Sequence, residues 1–113
     1  MKDSLLGRQL SGNEILDYQI IIPVGANEVE KEAALALQKY LSKLSDNTIP
    51  ISEEGKSQVK YGIYLGDTSY ARTRQINFGL IPEAGFIRKT VGNNIIIAGG
   101  AKRGLLFGVV DLL

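Results

Sequence analysis

The chain has 113 residues, 44% of them hydrophobic and 22% charged, with thirteen Lys and Arg against twelve Asp and Glu for a formal net charge of +1. That size fits one domain with one core, and the near-neutral balance gives phosphate-backbone binding little support, so nucleic acid is not an expected partner. Cysteine and histidine are both absent, which excludes disulfides, zinc–thiolate sites, thiol nucleophiles and the commonest general base.

Any chemistry of its own would therefore fall to carboxylates, Lys, Tyr, Ser or Thr. No cofactor and no metal is expected. The opening residues, MKDSLLGRQLSGNE, lack the apolar run of a signal peptide, and no segment approaches the roughly 20 apolar residues of a membrane span. A membrane partner is not expected.

The first predicted element is a strand over residues 16–23. Its run Ile20, Ile21 and Ile22 argues for burial on both faces and a central position, and Pro23 and Gly25 end it. Asn27 followed by Glu30 reads as an N-cap with a carboxylate at the third helical position, and Glu28, Glu30 and Glu32 suit the positive end of a helix dipole. A helix of about 18 residues follows. Val29, Ala33, Ala36, Leu37, Tyr40, Leu41 and Leu44 form its apolar stripe, with Leu35 alone out of place. Ser45, Asp46 and Asn47 close the helix.

Residues 48–51 read as a short strand whose Pro50 cannot donate to a ladder, which places it at an edge. Strand, helix, strand predicts a right-handed parallel crossover if both strands share a sheet. After a polar loop over residues 52–57, VKYGIYLG alternates, with Val59, Tyr61, Ile63 and Leu65 on one face and Lys60, Gly62 and Tyr64 on the other. Residues 66–85 are the least regular stretch and read as surface loop, with a short helix through about Gln75 capped by Asp67, Thr68 or Ser69. Residues 85–91 and 94–98 predict a hairpin around Gly92-Asn93, the glycine supplying a positive φ. Phe86, Ile87, Val91, Ile95, Ile96 and Ile97 put apolar groups on both of its faces, so the sheet's helix-free face is not expected to be fully wet.

Gly99 and Gly100 then lead into a predicted helix over residues 101–113. At about 100° per residue, Leu105, Leu106, Phe107, Val109, Val110, Leu112 and Leu113 cover an arc of roughly 220°, and Ala101, Gly104 and Gly108 line most of the remainder. No broad polar face is left. One side can pack on the sheet, and the other needs a second partner or stays an exposed apolar patch.

Taken in order, these segments carry a resemblance. GNEILDYQIIIP over residues 12–23 comes first, followed by a Glu- and Ala-rich helix ending Leu37-Gln38-Lys39-Tyr40-Leu41. Next come Ile49-Pro50-Ile51, Ile63-Tyr64-Leu65-Gly66-Asp67-Thr68 and Gly85-Phe86, and last Ile95-Ile96-Ile97-Ala98-Gly99-Gly100 and Arg103-Gly104 with Phe107-Gly108-Val109. This succession resembles the small non-catalytic α/β domain that precedes the barrel in family 20 β-N-acetylhexosaminidases. Similar domains precede the barrels of α-glucuronidases and O-GlcNAc hydrolases.

The fold class expected from the elements together with this resemblance is α+β. It is a mixed, mainly antiparallel sheet of four to five strands with two helices packed on one face, ordered β-α-β-β-β-β-α. The resemblance implies one accessory domain over residues 1–113, cut before a catalytic (β/α)8 barrel that carries the family's Asp-Glu pair. No catalytic, cofactor-binding or metal-ligating residue is therefore carried onto this chain. Interdomain packing falls to Leu105, Leu106, Phe107, Val109, Val110 and Leu113, and the isolated domain is expected to self-associate through them. The expected parent is a secreted bacterial glycoside hydrolase, extracellular or periplasmic, with its leader outside this sequence.

Three groups could be read as sites. Gly99 to Gly104, with Lys102 and Arg103, could cradle an anion, but the glycines are explained by a sharp turn into a close-packed helix and the spacing is not that of a Walker loop. Glu53 with Glu54, or Asp67 with Glu83, could pose as a glycosidase carboxylate pair about 5–9.5 Å apart; a solvated loop and a turn former explain them better. Tyr61, Tyr64 and Tyr70 could stack on sugars, although Tyr61 shares its face with the core. The alternative function is accordingly a free-standing carbohydrate-binding or adaptor module.

Overall fold

A computed structural model describes residues 17–56, 59–82 and 85–99. The predicted helix over residues 101–113, with its packing residues Leu105, Leu106, Phe107, Val109, Val110 and Leu113, lies outside the described residues, as does Glu83. Strand β1 (Tyr18–Ile22) is followed by helix α1 (Glu28–Ser45). The helix starts where the sequence places it: Asn27 Oδ1 accepts the Glu30 N–H at 2.8 Å and Glu30 Oε1 accepts the Asn27 N–H at 2.9 Å, a reciprocal cap of two donors that the helix itself cannot satisfy. Asp46, left-handed at φ 59, ends it by donating its N–H to the Ser42 carbonyl.

Strands β2 (Ile51–Glu53) and β3 (Tyr61–Leu65) come next, then a short helix α2 (Ser69–Thr73), a 3-10 turn (Phe78–Leu80) and strands β4 (Phe86–Val91) and β5 (Asn94–Gly99). They form one five-stranded sheet in the order β2-β1-β3-β5-β4. Ile20 pairs with Ile51 on one side and Ile63 on the other, which gives β1 the interior place its isoleucine run predicts. β2 is an edge, as Pro50 requires, although it begins just after that proline rather than before it. The Pro50 carbonyl still accepts the Ile20 N–H at 2.9 Å, and Ser52 and Glu53 belong to the strand instead of a loop.

The sheet is mixed, but it is not mainly antiparallel. β1 pairs in parallel with β2 and β3, and β3 pairs in parallel with β5; β4 with β5 is the antiparallel pair. The connections explain this. Helix α1 returns the chain to the starting end before β2, and α2 with the 3-10 turn and β4 separates β3 from β5, so each of those strands re-enters in the same sense. A two-residue turn at Gly92-Asn93, with Gly92 at φ 60, permits the β4–β5 hairpin.

Both faces of the sheet are covered. On one, Leu37 and Leu41 of α1 with Ala33 and Ala34 pack on Tyr18, Ile20, Ile63, Leu65, Ile95 and Ile97. On the other, Ala71, Ile76 and Ile81 from the α2 region pack on Ile96 and Ala98, with Tyr64, Tyr70, Phe78 and Val91 around them. The two described helices thus lie on opposite faces, and the partner expected beside α1 falls in residues outside the description. Each fully buried Ile or Leu of these layers contributes about 1.5–3 kcal/mol of transfer free energy.

Candidate functional site

The carbonyl end of β3 leads into a loop held by three carboxylates. Glu30, almost fully buried, accepts the Asp67 N–H on Oε2 at 2.9 Å while its other oxygen caps α1. Glu54 accepts the N–H groups of Ser69 and Tyr70 at 2.8 and 2.9 Å, so the residue after β2 anchors the start of α2. Thr68, wholly buried, completes that start by accepting the Ala71 N–H at 3.1 Å. Asp67 holds Arg72 in a two-pronged ion pair at 2.6 and 2.6 Å. That hydrogen bond, then the carboxylate charge, raises the Arg72 pKa above its ordinary value.

These contacts decide the carboxylate candidates. Glu53 accepts the Gly25 N–H at 3.4 Å, on a different part of the molecule from the Glu54 contacts. The two side chains point to separate backbone donors and flank no common space. Glu54 is a helix anchor rather than part of a solvated loop. Asp67 is tied to Arg72, and Thr68, not Asp67, is the cap of α2. Among the described residues no group of three His, Cys, Asp or Glu side chains could hold a metal ion, and no helix is long and apolar enough to cross a membrane.

Two of the three tyrosines come together. Tyr64 and Tyr70 stack with ring centroids 4.2 Å apart and planes at 22°, and the Arg74 guanidinium lies 5.0 Å from the Tyr70 ring centre. Since Tyr64 occupies one side of the Tyr70 ring, Arg74 takes the other. Gly62 makes room beneath: a Cβ there would strike the Tyr64 ring. Asn94 ties the stack to the sheet, donating to the Tyr70 hydroxyl at 2.9 Å and accepting the Gly62 N–H at 2.9 Å. Burial first, then the neighbouring Tyr70 and Glu54, raise the Tyr64 pKa. Tyr61 instead meets Tyr18, 5.3 Å between centroids, against the α1 layer, as its alternation predicts.

Two depressions flank this stack. One, of about 450 Å³, is bounded by Ile21, Glu54, Gly55, Val59, Tyr64, Ser69, Tyr70 and Thr73. The other, of about 340 Å³, lies past the end of α2 among Thr73, Arg74, Gln75, Lys89, Thr90 and Val91. The first is the place a sugar would have to enter for the tyrosine reading to hold. The glycine-rich turn proposed for anions begins at Gly99, the last residue of β5, and runs on outside the described residues. Sequence reasoning missed Glu30, Glu54, Arg74 and Lys89 as joint features of this region, because each acts on a residue distant in the chain. No protein-family model matches the chain, and no curated protein matches it significantly.

Proposed function

We propose that this chain is a non-catalytic accessory domain of a bacterial carbohydrate-active enzyme, a glycoside hydrolase, and that its work is to pack against a catalytic barrel. The observation that carries the reading is the engagement of Glu30, Glu54 and Asp67. Catalysis of glycoside cleavage needs two carboxyl groups free to face a bound sugar. Here Glu30 and Glu54 each accept two backbone N–H groups, and Asp67 is paired with Arg72. These are the contacts of a scaffold.

The sequence after β5 supports the same reading. From Leu105 to Leu113 the single charged residue is Asp111, and such a run gains by burial against a large partner surface. Leu105, Leu106, Phe107, Val109, Val110 and Leu113 are the proposed contact residues. The rival sugar-binding reading draws on the depression beside Tyr64 and Tyr70, but Tyr70 has Tyr64 on one side and Arg74 on the other, which leaves it no open face for a sugar.

The test is sedimentation of the isolated chain over a wide concentration range, with N-acetylhexosaminide and glucuronide hydrolysis assayed in parallel. The expected result is concentration-dependent self-association that Leu106→Asp with Val110→Asp abolishes, and no turnover. A wild-type chain that stays monomeric throughout, or turnover lost on Glu54→Gln, overturns the proposal.

A further inference from the structure

We propose that the depression past the end of α2 binds a small molecule bearing an oxyanion, a phosphate or a carboxylate, gripped by Arg74 and Lys89. The volume of about 340 Å³ is at the lower end of the range for metabolite sites. Its walls, Thr73, Arg74, Gln75, Lys89, Thr90 and Val91, contain two cations and no carboxylate. The charge is also unanswered from nearby. Among the described residues the ion pairs are Lys60 with Asp17 and Arg72 with Asp67, and neither Arg74 nor Lys89 has an anionic partner.

Both cations are held in place. The Arg74 guanidinium rests on Tyr70, which is fixed by Tyr64 on its far side and by the Asn94 hydrogen bond. None of its side-chain N–H groups is bonded to a protein atom among the described residues, so the planar fork that matches phosphate and carboxylate is available. Lys89 reaches across from β4 and donates to the Arg74 carbonyl at 2.9 Å, which leaves two of its three N–H donors. That contact also offsets the negative carbonyl end of α2, which would otherwise oppose an anion.

Gln75 also lines the depression. It holds φ 69 as the left-handed residue that closes α2, its N–H donating to the Arg72 carbonyl and the Ile76 N–H reaching back to the Ala71 carbonyl. Two cations in a concave site on a chain of net charge +1 are too few for a polyanion such as nucleic acid, which requires many phosphate contacts. A small ligand fits. This inference is independent of the accessory-domain reading.

The test follows backbone amide shifts of the full chain in NMR during titration with inorganic phosphate and, separately, acetate, each against sodium chloride at equal ionic strength. Saturable shifts confined to residues 73–75 and 89–91 are expected, with affinity falling about tenfold in Arg74→Gln and in Lys89→Gln. Arg72→Gln, which alters a paired cation, should leave the titration unchanged. The tighter of the two anions identifies the ligand group as phosphate or carboxylate. Both variants alter exposed side chains, and their circular dichroism checks that they fold. Shifts no larger than those with chloride, or saturable shifts that persist undiminished in both variants, overturn the proposal.

Discussion

Replacing Gly66 by alanine tests the junction that sets the site. Gly66 follows β3 at φ 88, and a Cβ there would collide with the Glu30 carboxylate. An L-residue in the left-handed region costs about 1–2 kcal/mol. To clear the methyl, the carboxylate must abandon the Asp67 N–H, a charge-assisted bond worth about 1.5–3 kcal/mol. The variant should therefore lose about 2.5–5 kcal/mol, a large share of the 5–15 kcal/mol that holds an ordinary domain together.

The assay is urea denaturation at 25 °C followed by circular dichroism, run as a double-mutant cycle with Glu30→Ala. In that background the methyl meets no carboxylate, so Gly66→Ala should cost only the backbone strain. The coupling energy is then about 1.5–3 kcal/mol. A cost below about 1 kcal/mol in the wild type, or an equal cost in both backgrounds, refutes the reasoning.

Leu37→Ala, which empties a fully buried position between α1 and the sheet, should destabilise by about 2–5 kcal/mol with an unchanged m-value in the same assay. Glu54→Gln converts one acceptor into a donor facing an N–H of α2 and should cost about 1–3 kcal/mol; hydrogen exchange should then quicken at Ser69 and Tyr70 while α1 stays protected. For Tyr64 the folded-state pKa is raised above the ordinary 10.0, so folding favours the neutral phenol. Its contribution is complete below pH 10.0 and is lost as pH rises through the higher folded value. Tyr64→Phe should weaken the alkaline decline of the melting temperature, and an unchanged decline counts against the burial argument.

What could be read from the chain alone was local in sequence. Asn27 and Glu30 are three residues apart, and their reciprocal cap follows from that spacing. The alternation of Tyr61, Ile63 and Leu65 assigns those side chains to the α1 face, and Gly92-Asn93 marks the hairpin. A capped short helix after β3 was legible in the run Asp67, Thr68 and Ser69, and the structure selects Thr68 as its cap. Strand partners were not, because pairing β3 with β5 rather than with β2 depends on contacts between distant segments. The site was hidden for the same reason. Nothing near Glu54 announces that its oxygens meet Ser69 and Tyr70, and Arg74 meets Lys89 only once α2 and β4 are in place.

The final described strand occupies an interior slot between β3 and β4. During synthesis every earlier strand leaves the ribosome before the one that unites them, so a nascent chain bears an unzipped β3 border and a homeless β4 until Gly99 has emerged. Unpaired borders of this kind recruit other strands. The window for mispairing therefore closes only when β5 has entered the sheet.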